Sequence, residues 1–583
     1  MSSPKQDIVA VEAAAEKEPC LETSVPRKTA SFRQLLLRFI GIYWRSIVVI
    51  TWPIILSPLL IYNNEPKYRC LYVVAMMAVY WVTEALPLPI TSLMPIFLYP
   101  IMGIMNTTDT TTCYLNDTTM MFLASLIIAV AIEHSGLHMR VAFLIIKVVG
   151  CSHRRLSFGI FLVTMFISMW ISNTAATAMM IPIINTVLME MENQGLGAMF
   201  IEDKDDLEND ESGEPAKKPT HATMTYYMIA SYASSIGGTG TVVGSGTNLT
   251  FKGLYETRFP KSPGVNFSEW MCYAVPPMLI CGFLIWVWLQ IMYMGMFRPN
   301  SKDAQDINIG REGEKIAENV IQQKYKDLGP ITWHESCVAT LFVLVIFMWF
   351  FRKPGFIAGW PTYITSMPFK DSSSAIFITL LMFIIPANLD FLKSFSKDPS
   401  KRPTKPTPGL INWKLIQTRM HWGLMFVLGG GFALSAGSTS SGLSTLLGEG
   451  LSGLQYLHPV AILFIVCFMA EMITELTSNV AIANIILPVL AELCVSIKLH
   501  PLYLMLPASL CCSFSFHLPV GTPPNAIATA AGHIRTKDLM IAGIGPSVIT
   551  LVVLTIGFPT WGSVIYDLHD FPAWANVTTS AKS

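Results

Sequence analysis

Two apolar stretches of the chain carry polar interruptions of one design, placed 306 residues apart. "FISMWISNTAATAMMIP", Phe166 to Pro182, holds Ser168 and then Ser172-Asn173-Thr174. "FMAEMITELTSNVAIANIILP", Phe468 to Pro488, holds Thr474 and then Ser478-Asn479-Val480. The prolines that close them, and a Ser-Gly-Leu at 135–137 and 441–443, keep the same offset. A second break follows each stretch: "GGTGTVVGSGTN" ends at Asn248 and "HLPVGTPPN" at Asn525. From Asn173 to Asn248 is 75 residues and from Asn479 to Asn525 is 46, and the difference of 29 is the length of the polar, acidic insert 193–221. The chain is therefore a duplication with an insert in its first half.

The medium is set by composition. Of 583 residues, 52% are hydrophobic and 13% charged, against about 25% charged in soluble domains. This is an all-α, polytopic membrane protein. Formal net charge is zero, and no basic patch supports nucleic-acid binding. Eleven cysteines are scattered without a CxxC or a Cys/His spacing, so no metal site or cofactor is implied. Cys70 and Cys113 admit two readings, a pair on one face or two lone thiols. The start of the chain is polar and acidic, unlike a signal peptide.

A simple span needs about 20 apolar residues. Runs near 47–63, 70–86, 87–105, 118–150, 222–253, 268–297, 330–352, 373–389, 419–440, 501–532 and 539–560 supply spans. Those at 156–192 and 455–496 are too long for one span, too short for two, and polar at the centre, which predicts re-entrant hairpins. With the N-terminus inside, the Lys/Arg-rich segments 1–45, 152–155, 298–329 and 390–418 all fall inside, as the positive-inside rule asks. The sequons at Asn106, Asn116 and Asn576 then fall outside as glycosylation sites. Asn248, also in a sequon, falls within the breaks and is not expected to be glycosylated. The expected organisation is a cytosolic tail 1–46, a first repeat 47–192 with an inner hairpin 156–192, and the cytosolic insert 193–221. A broken helix and span 222–297, a cytosolic linker 298–329 and a second repeat 330–532 with an outer hairpin 455–496 follow. The last span is 533–560, and 561–583 is an extracellular tail. That gives about eleven spans and two hairpins entering from opposite faces: an inverted repeat. Interrupted helices at matching places in inverted repeats point to a secondary transporter with its site at the midplane.

Unwound tips expose carbonyls and N–H groups that must be satisfied in the bilayer. Carbonyls with Ser, Thr and Asn oxygens suit a hard cation; helix N-termini suit an anion. No Lys or Arg occurs in 156–192, 222–251, 455–497 or 501–534. An anion held there relies on hydroxyls, amides, N–H dipoles and co-bound cations. Glu84, Glu133, Glu471, Glu475 and His517 are ionisable groups in apolar runs and functional candidates on that ground. Of these Glu475 stands closest to a tip, with structural hydrogen bonding and proton coupling both open. No catalytic constellation is evident, so an enzyme or a channel is disfavoured.

These motifs, with "TEALPLPITSLMPI" (Thr83 to Ile96), "YASSIGG" and "IRTKDLMIAGIGP", resemble the divalent-anion/sodium symporter family across about 47–575, and within it the insect di- and tricarboxylate transporters most closely. The resemblance implies a homodimer, each protomer with a scaffold and an elevator-type transport domain. It implies citrate, succinate and related substrates at the plasma membrane, with sulfate as the alternative. It places substrate carboxylates at Ser172, Asn173, Thr174, Ser478, Asn479, Val480, Thr522 and Pro523. One sodium site would use Ser168, Ser172, Asn173 and carbonyls near Gly238 and Gly240; the other Thr474, Asn479 and a carbonyl near Gly521. Two positions depart from the family: Val480 stands where many relatives have Thr, and Gly521 where Ala or Ser is usual. Sodium symport and cation-independent anion exchange both fit the resemblance.

Overall fold

The computed structural model describes residues 32–150, 152–195, 197–202, 217–308, 310–355 and 357–575. Asn576, most of the acidic insert and the first 31 residues lie outside them. Among the described residues the chain is helical apart from one short antiparallel ribbon, Phe200–Glu202 with Lys217–Pro219, which closes the base of the insert. Eight helices among the described residues are long and apolar enough to cross a membrane, and four shorter apolar helices accompany them. Large apolar side chains point outward along the surface, among them Ile54, Phe283, Phe347, Ile465 and Val552. In water such a surface would aggregate; in lipid it is the expected face.

The first helix, Phe32–Leu56, starts upstream of the apolar run at 47 and takes Arg33, Arg38 and Arg45 into its first turns. Long basic side chains reach from an apolar helix to polar surroundings, so charge alone did not mark its start. Tyr80 Oη donates to the Val49 carbonyl at 2.7 Å and ties this helix to Pro66–Thr83.

The repeat is visible in three dimensions. Ser-Gly-Leu is a helix stop in both halves. Asp117–Ser135 ends at Gly136 with φ +74°, and Gly423–Ser441 ends at Gly442 with φ +79°. Only glycine adopts that left-handed conformation without strain. Leu137–Val149 and Leu443–Leu451 then start in a new direction. The hairpins are His153–Ser168 with Asn173–Asn193, and Pro459–Thr474 with Asn479–Ser496. The broken helices are His221–Gly237 with Gly246–Arg258, and Pro501–Cys511 with Pro523–Gly532.

Packing between the halves is crosswise. Asn173–Asn193 lies against Pro523–Gly532, and Asn479–Ser496 lies against Gly246–Arg258. Each hairpin is thus braced by the broken helix of the other half. A smaller buried cluster of Cys70, Val73, Met77, Trp81, Tyr99 and Leu434 sits apart and meets the second hairpin at Ala481. Cys70 and Cys113 are both free thiols.

Candidate functional site

At the first tip the helix ends at Ser168 and restarts at Asn173. Ser172 caps the second arm, its hydroxyl accepting from the Ala175 N–H at 3.3 Å. The Ser168 hydroxyl lies 3.0 Å from Asn173 Oδ1 and 2.6 Å from the Ser234 carbonyl, the last turn before the first break. Thr474 repeats this arrangement: its hydroxyl lies 2.9 Å from Asn479 Oδ1 and 2.8 Å from the Cys512 carbonyl. One hydroxyl hydrogen cannot serve both acceptors, so each tip gathers more oxygen than it has protons to share. Such neutral oxygen clusters suit a hard cation.

The breaks match as well. Asn248 Nδ2 donates to the carbonyls of Gly238 at 2.9 Å and Thr241 at 2.8 Å. Asn525 Nδ2 donates to those of Ser515 at 3.1 Å and Leu518 at 3.0 Å. The two sets are 277 residues apart throughout. Each asparagine replaces helix bonds that the break removed, which answers the demand for internal satisfaction. Asn248 is fully buried with its amide nitrogen engaged. The expectation that it carries no glycan agrees with that placement.

Glycines set the closeness of approach. A Cβ on Gly238 would lie 2.2 Å from Asn173 Oδ1, and one on Gly244 2.6 Å from the Gly238 carbonyl and 2.8 Å from that of Met169. Gly521 stands where its counterpart Gly244 stands, its α-carbon facing the Glu475 carbonyl. A Cβ there would meet Ser515 Oγ at 2.1 Å, and that hydroxyl is held by Glu475 Oε2 at 2.8 Å. Val480 has a similar partner, since a Cβ on Gly246 would meet Val480 Cγ2 at 2.8 Å.

The two breaks touch. Thr247 Oγ1 and Ser513 Oγ are hydrogen-bonded to each other, Ser245 Oγ lies 3.4 Å from Ser513 Oγ, and Ser231 Oγ donates to Asn525 Oδ1 at 2.5 Å. The candidate residues divide by burial. Ser168, Thr474, Thr522, Gly238, Gly240 and Gly521 are buried; Ser172, Asn173, Thr174, Ser478, Asn479 and Val480 are half-buried; Pro523 is exposed. The buried set faces the interior of each tip, and the half-buried set can reach a ligand. The second tip also reaches the smaller cluster, where Thr477 Oγ1 donates to the Trp81 carbonyl at 3.2 Å.

Sequence reasoning missed two features. Asn248 Oδ1 is buried without a donor partner, whereas Asn525 Oδ1 has Ser231. Its alignment with Asn525 was the available signal. Glu475 proves to be a hub: it accepts from the N–H groups of Phe516 at 2.6 Å, His517 at 3.1 Å and Leu518 at 3.2 Å, and from Ser515. A carboxylate thus ties the second break. Of the remaining ionisable candidates, Glu84 is exposed and Glu133 pairs with Arg419 at 2.7 Å. Asn106 is exposed; Asn116 is half-buried and caps the next helix through Thr119. Among the described residues no cluster of His, Cys, Asp or Glu could hold a metal ion.

The transmembrane region of the sodium:sulfate symporters matches residues 42–568. The chain is 47% identical over 550 residues to "Protein I'm not dead yet" of Drosophila melanogaster, covering 93% of each chain. It is 38% identical to the Na(+)/citrate cotransporter of Rattus norvegicus, covering 92% of this chain and 98% of that one. It is 35% identical to the rat Na(+)/dicarboxylate cotransporter 3, covering 91% and 94%. Its fold matches the crystal structure of the YdaH transporter of Alcanivorax borkumensis with a TM-score of 0.50 at 13% identity, over 86% of this chain and 99% of that one. The paired tips, the crossed halves and these matches agree: the chain belongs to the sodium:sulfate symporter family, a family of multi-pass membrane transporters and not of enzymes.

Proposed function

We propose that the chain is a secondary transporter of di- and tricarboxylates, citrate and succinate among them, at the plasma membrane. The observation that carries the reading is the pair of tips: two half-buried Ser-Asn pairs, each at a helix N-terminus and each backed by a hydroxyl–amide–carbonyl cluster. Relatives named for citrate and dicarboxylate supply the substrate class. A polycarboxylate meets Ser172-Asn173-Thr174 at one end and Ser478-Asn479 with Thr522 at the other, beside Val480 and Pro523. N–H dipoles at both helix starts favour its charge.

Where sodium is coupled, Ser168 and Asn173 with nearby carbonyls hold one ion, and Thr474 and Asn479 hold the second. A cation there offsets the charge of a substrate that meets no Lys or Arg. The hairpins and broken helices move together as a transport domain against a scaffold containing Pro66–Thr83 and Gly423–Ser441. The protein works as a homodimer with its N-terminus cytosolic and its C-terminus extracellular.

Uptake of labelled citrate, succinate and sulfate into proteoliposomes, each competed by the others, tests the reading. Citrate and succinate compete for one carrier. Sulfate uptake untouched by excess citrate overturns the reading in favour of an inorganic anion. Replacing sodium with choline then separates the coupling modes: loss of uptake gives symport, and unchanged uptake accelerated by internal anion gives exchange.

A further inference from the structure

The two halves share one hydrogen-bond skeleton but not one set of side chains. Glu471 and Glu475 stand where the first half has Met165 and Met169, and His517 stands where it has Gly240. Ionisable groups thus enter the second half alone. Glu475 is fully used by the break it ties. Glu471 is not used by anything described so far.

Glu471 is 1% exposed, in the last turn of the first arm of the second hairpin. Its Oε2 has no hydrogen-bond partner, and its Oε1 lies 3.1 Å from the Thr550 hydroxyl on the last long helix. That hydroxyl also lies 2.8 Å from the Pro546 carbonyl, four residues back in its own helix. A threonine has one hydrogen and habitually gives it to that carbonyl. The contact with Glu471 is then closed by a hydrogen on the carboxyl. The groups near Glu471 are the thiols of Cys281 and Cys511 and the hydroxyls of Ser547 and Thr550 on neighbouring helices, and the Glu475 carboxylate one turn on at the end of its own helix. No cation is among them. An ionised carboxylate there would be desolvated, beside a like charge and offered only the hydroxyls of Ser547 and Thr550, which is unfavourable. From Glu471 a polar path leads outward. Ser547 Oγ lies 3.5 Å from His517 Nδ1, His517 Nδ1 lies 3.0 Å from Glu475, and the His517 side chain is one-fifth exposed. Tyr232, donating to the Phe516 carbonyl, closes the other side.

We infer that Glu471 is a proton-binding site of the transport domain, loaded through His517 and Ser547, whose proton moves with the bound carboxylate. It rests on the transport reading above. Each cycle binds one proton as COO⁻ becomes COOH and releases it on the other side, adding one positive charge to the cargo. The basic side chain that the substrate site lacks is thereby partly replaced.

The test uses the full-length protein in sodium-free proteoliposomes with a pH-sensitive dye inside. Succinate is supplied outside at a pH where it is a dianion, and labelled uptake is followed in the same vesicles. Wild type acidifies the lumen in step with uptake, and its rate falls as outside pH rises by up to about tenfold per unit, the limit for one proton. Glu471→Gln, isosteric with the protonated acid but unable to release a proton, loses both the acidification and the pH dependence of whatever uptake remains. Uptake without acidification in wild type overturns the inference while leaving the transport reading intact. No uptake either with sodium or without it sinks the transport reading itself, and uptake that needs sodium and brings no acidification overturns the inference alone. Full acidification in Glu471→Gln also overturns the inference. Should that variant fold poorly, Thr550→Val, which removes only the acceptor, is expected to shift the pH profile, and an unshifted profile counts against the inference.

Discussion

The first and second tips place the same atoms by different means. Ser168 holds Asn173 against the Ser234 carbonyl, and Thr474 holds Asn479 against the Cys512 carbonyl, at distances agreeing within a few tenths of an ångström. Around that skeleton the first half uses Met165, Met169 and glycines, while the second uses Glu471, Glu475, Ser515 and His517. In the first break a carbonyl pair is satisfied by one asparagine whose oxygen stays unpartnered; in the second a carboxylate collects three backbone N–H groups. The comparison teaches that the geometry of the tip, not the sequence around it, is the repeated unit. It also separates what both halves need, one hydroxyl and one amide, from what only one half has.

Removing the shared amide gives the largest effect. On the proposed binding mode, Asn173→Ala and Asn479→Ala each remove a hydrogen bond to a charged ligand, about 1.5–3 kcal/mol, or roughly 10- to 150-fold in affinity. Carboxylate uptake by either variant is expected to collapse while surface expression stays normal. Wild-type uptake in one of them breaks the equivalence of the tips.

Crowding the glycines sharpens the comparison. At Gly244 a Cβ meets three backbone carbonyls; at Gly521 it meets the Ser515 hydroxyl and one carbonyl. Overpacking costs about 1–3 kcal/mol, with Gly244→Ala at the upper end because backbone cannot yield. Thermal unfolding of the detergent-solubilised protein should rank Gly244→Ala as more destabilising than Gly521→Ala. The double change Gly521→Ala with Ser515→Ala should recover much of the loss. Equal destabilisation, with no recovery, contradicts the Ser515 account.

Truncating the hydroxyls is milder. Ser168→Ala and Thr474→Val each remove one neutral bond of about 1 kcal/mol, which is roughly fivefold. If sodium is coupled, the half-saturating sodium concentration rises by about that factor in both. A change in one alone would assign the cation to one half. Val480→Thr is smallest, because the swap is near-isosteric and only adds a hydroxyl beside Gly246. It should alter the ratio of citrate to succinate uptake more than total activity. An unchanged ratio removes Val480 from the substrate surface.

Much of this was legible in the chain. The 306-residue offset located both tips to the residue, and the Gly- and Pro-rich stretches located both breaks. The duplication was readable because polar residues in a bilayer segment are few and each needs a reason. Two kinds of feature were not readable. Contacts such as Thr247 with Ser513, or Thr477 with Trp81, join positions far apart in sequence and follow from how the halves cross, which no periodicity encodes. Roles that depend on orientation were equally hidden: Glu471 and Glu475 are one turn apart, yet one ties a loop and the other faces a dry helix interface. Ser-Gly-Leu was visible as a landmark but not as a helix stop, because the left-handed glycine appears only in the backbone.

The account centres on one substrate held by both tips at once. Equilibrium binding of labelled citrate to the purified protein, with site counts per protomer for wild type, Asn173→Ala and Asn479→Ala, tests it most directly. The account predicts a single site per protomer, weakened roughly 10- to 150-fold by either substitution. Two sites in wild type, with one intact site left in each variant, would show that the tips bind separately and would contradict it.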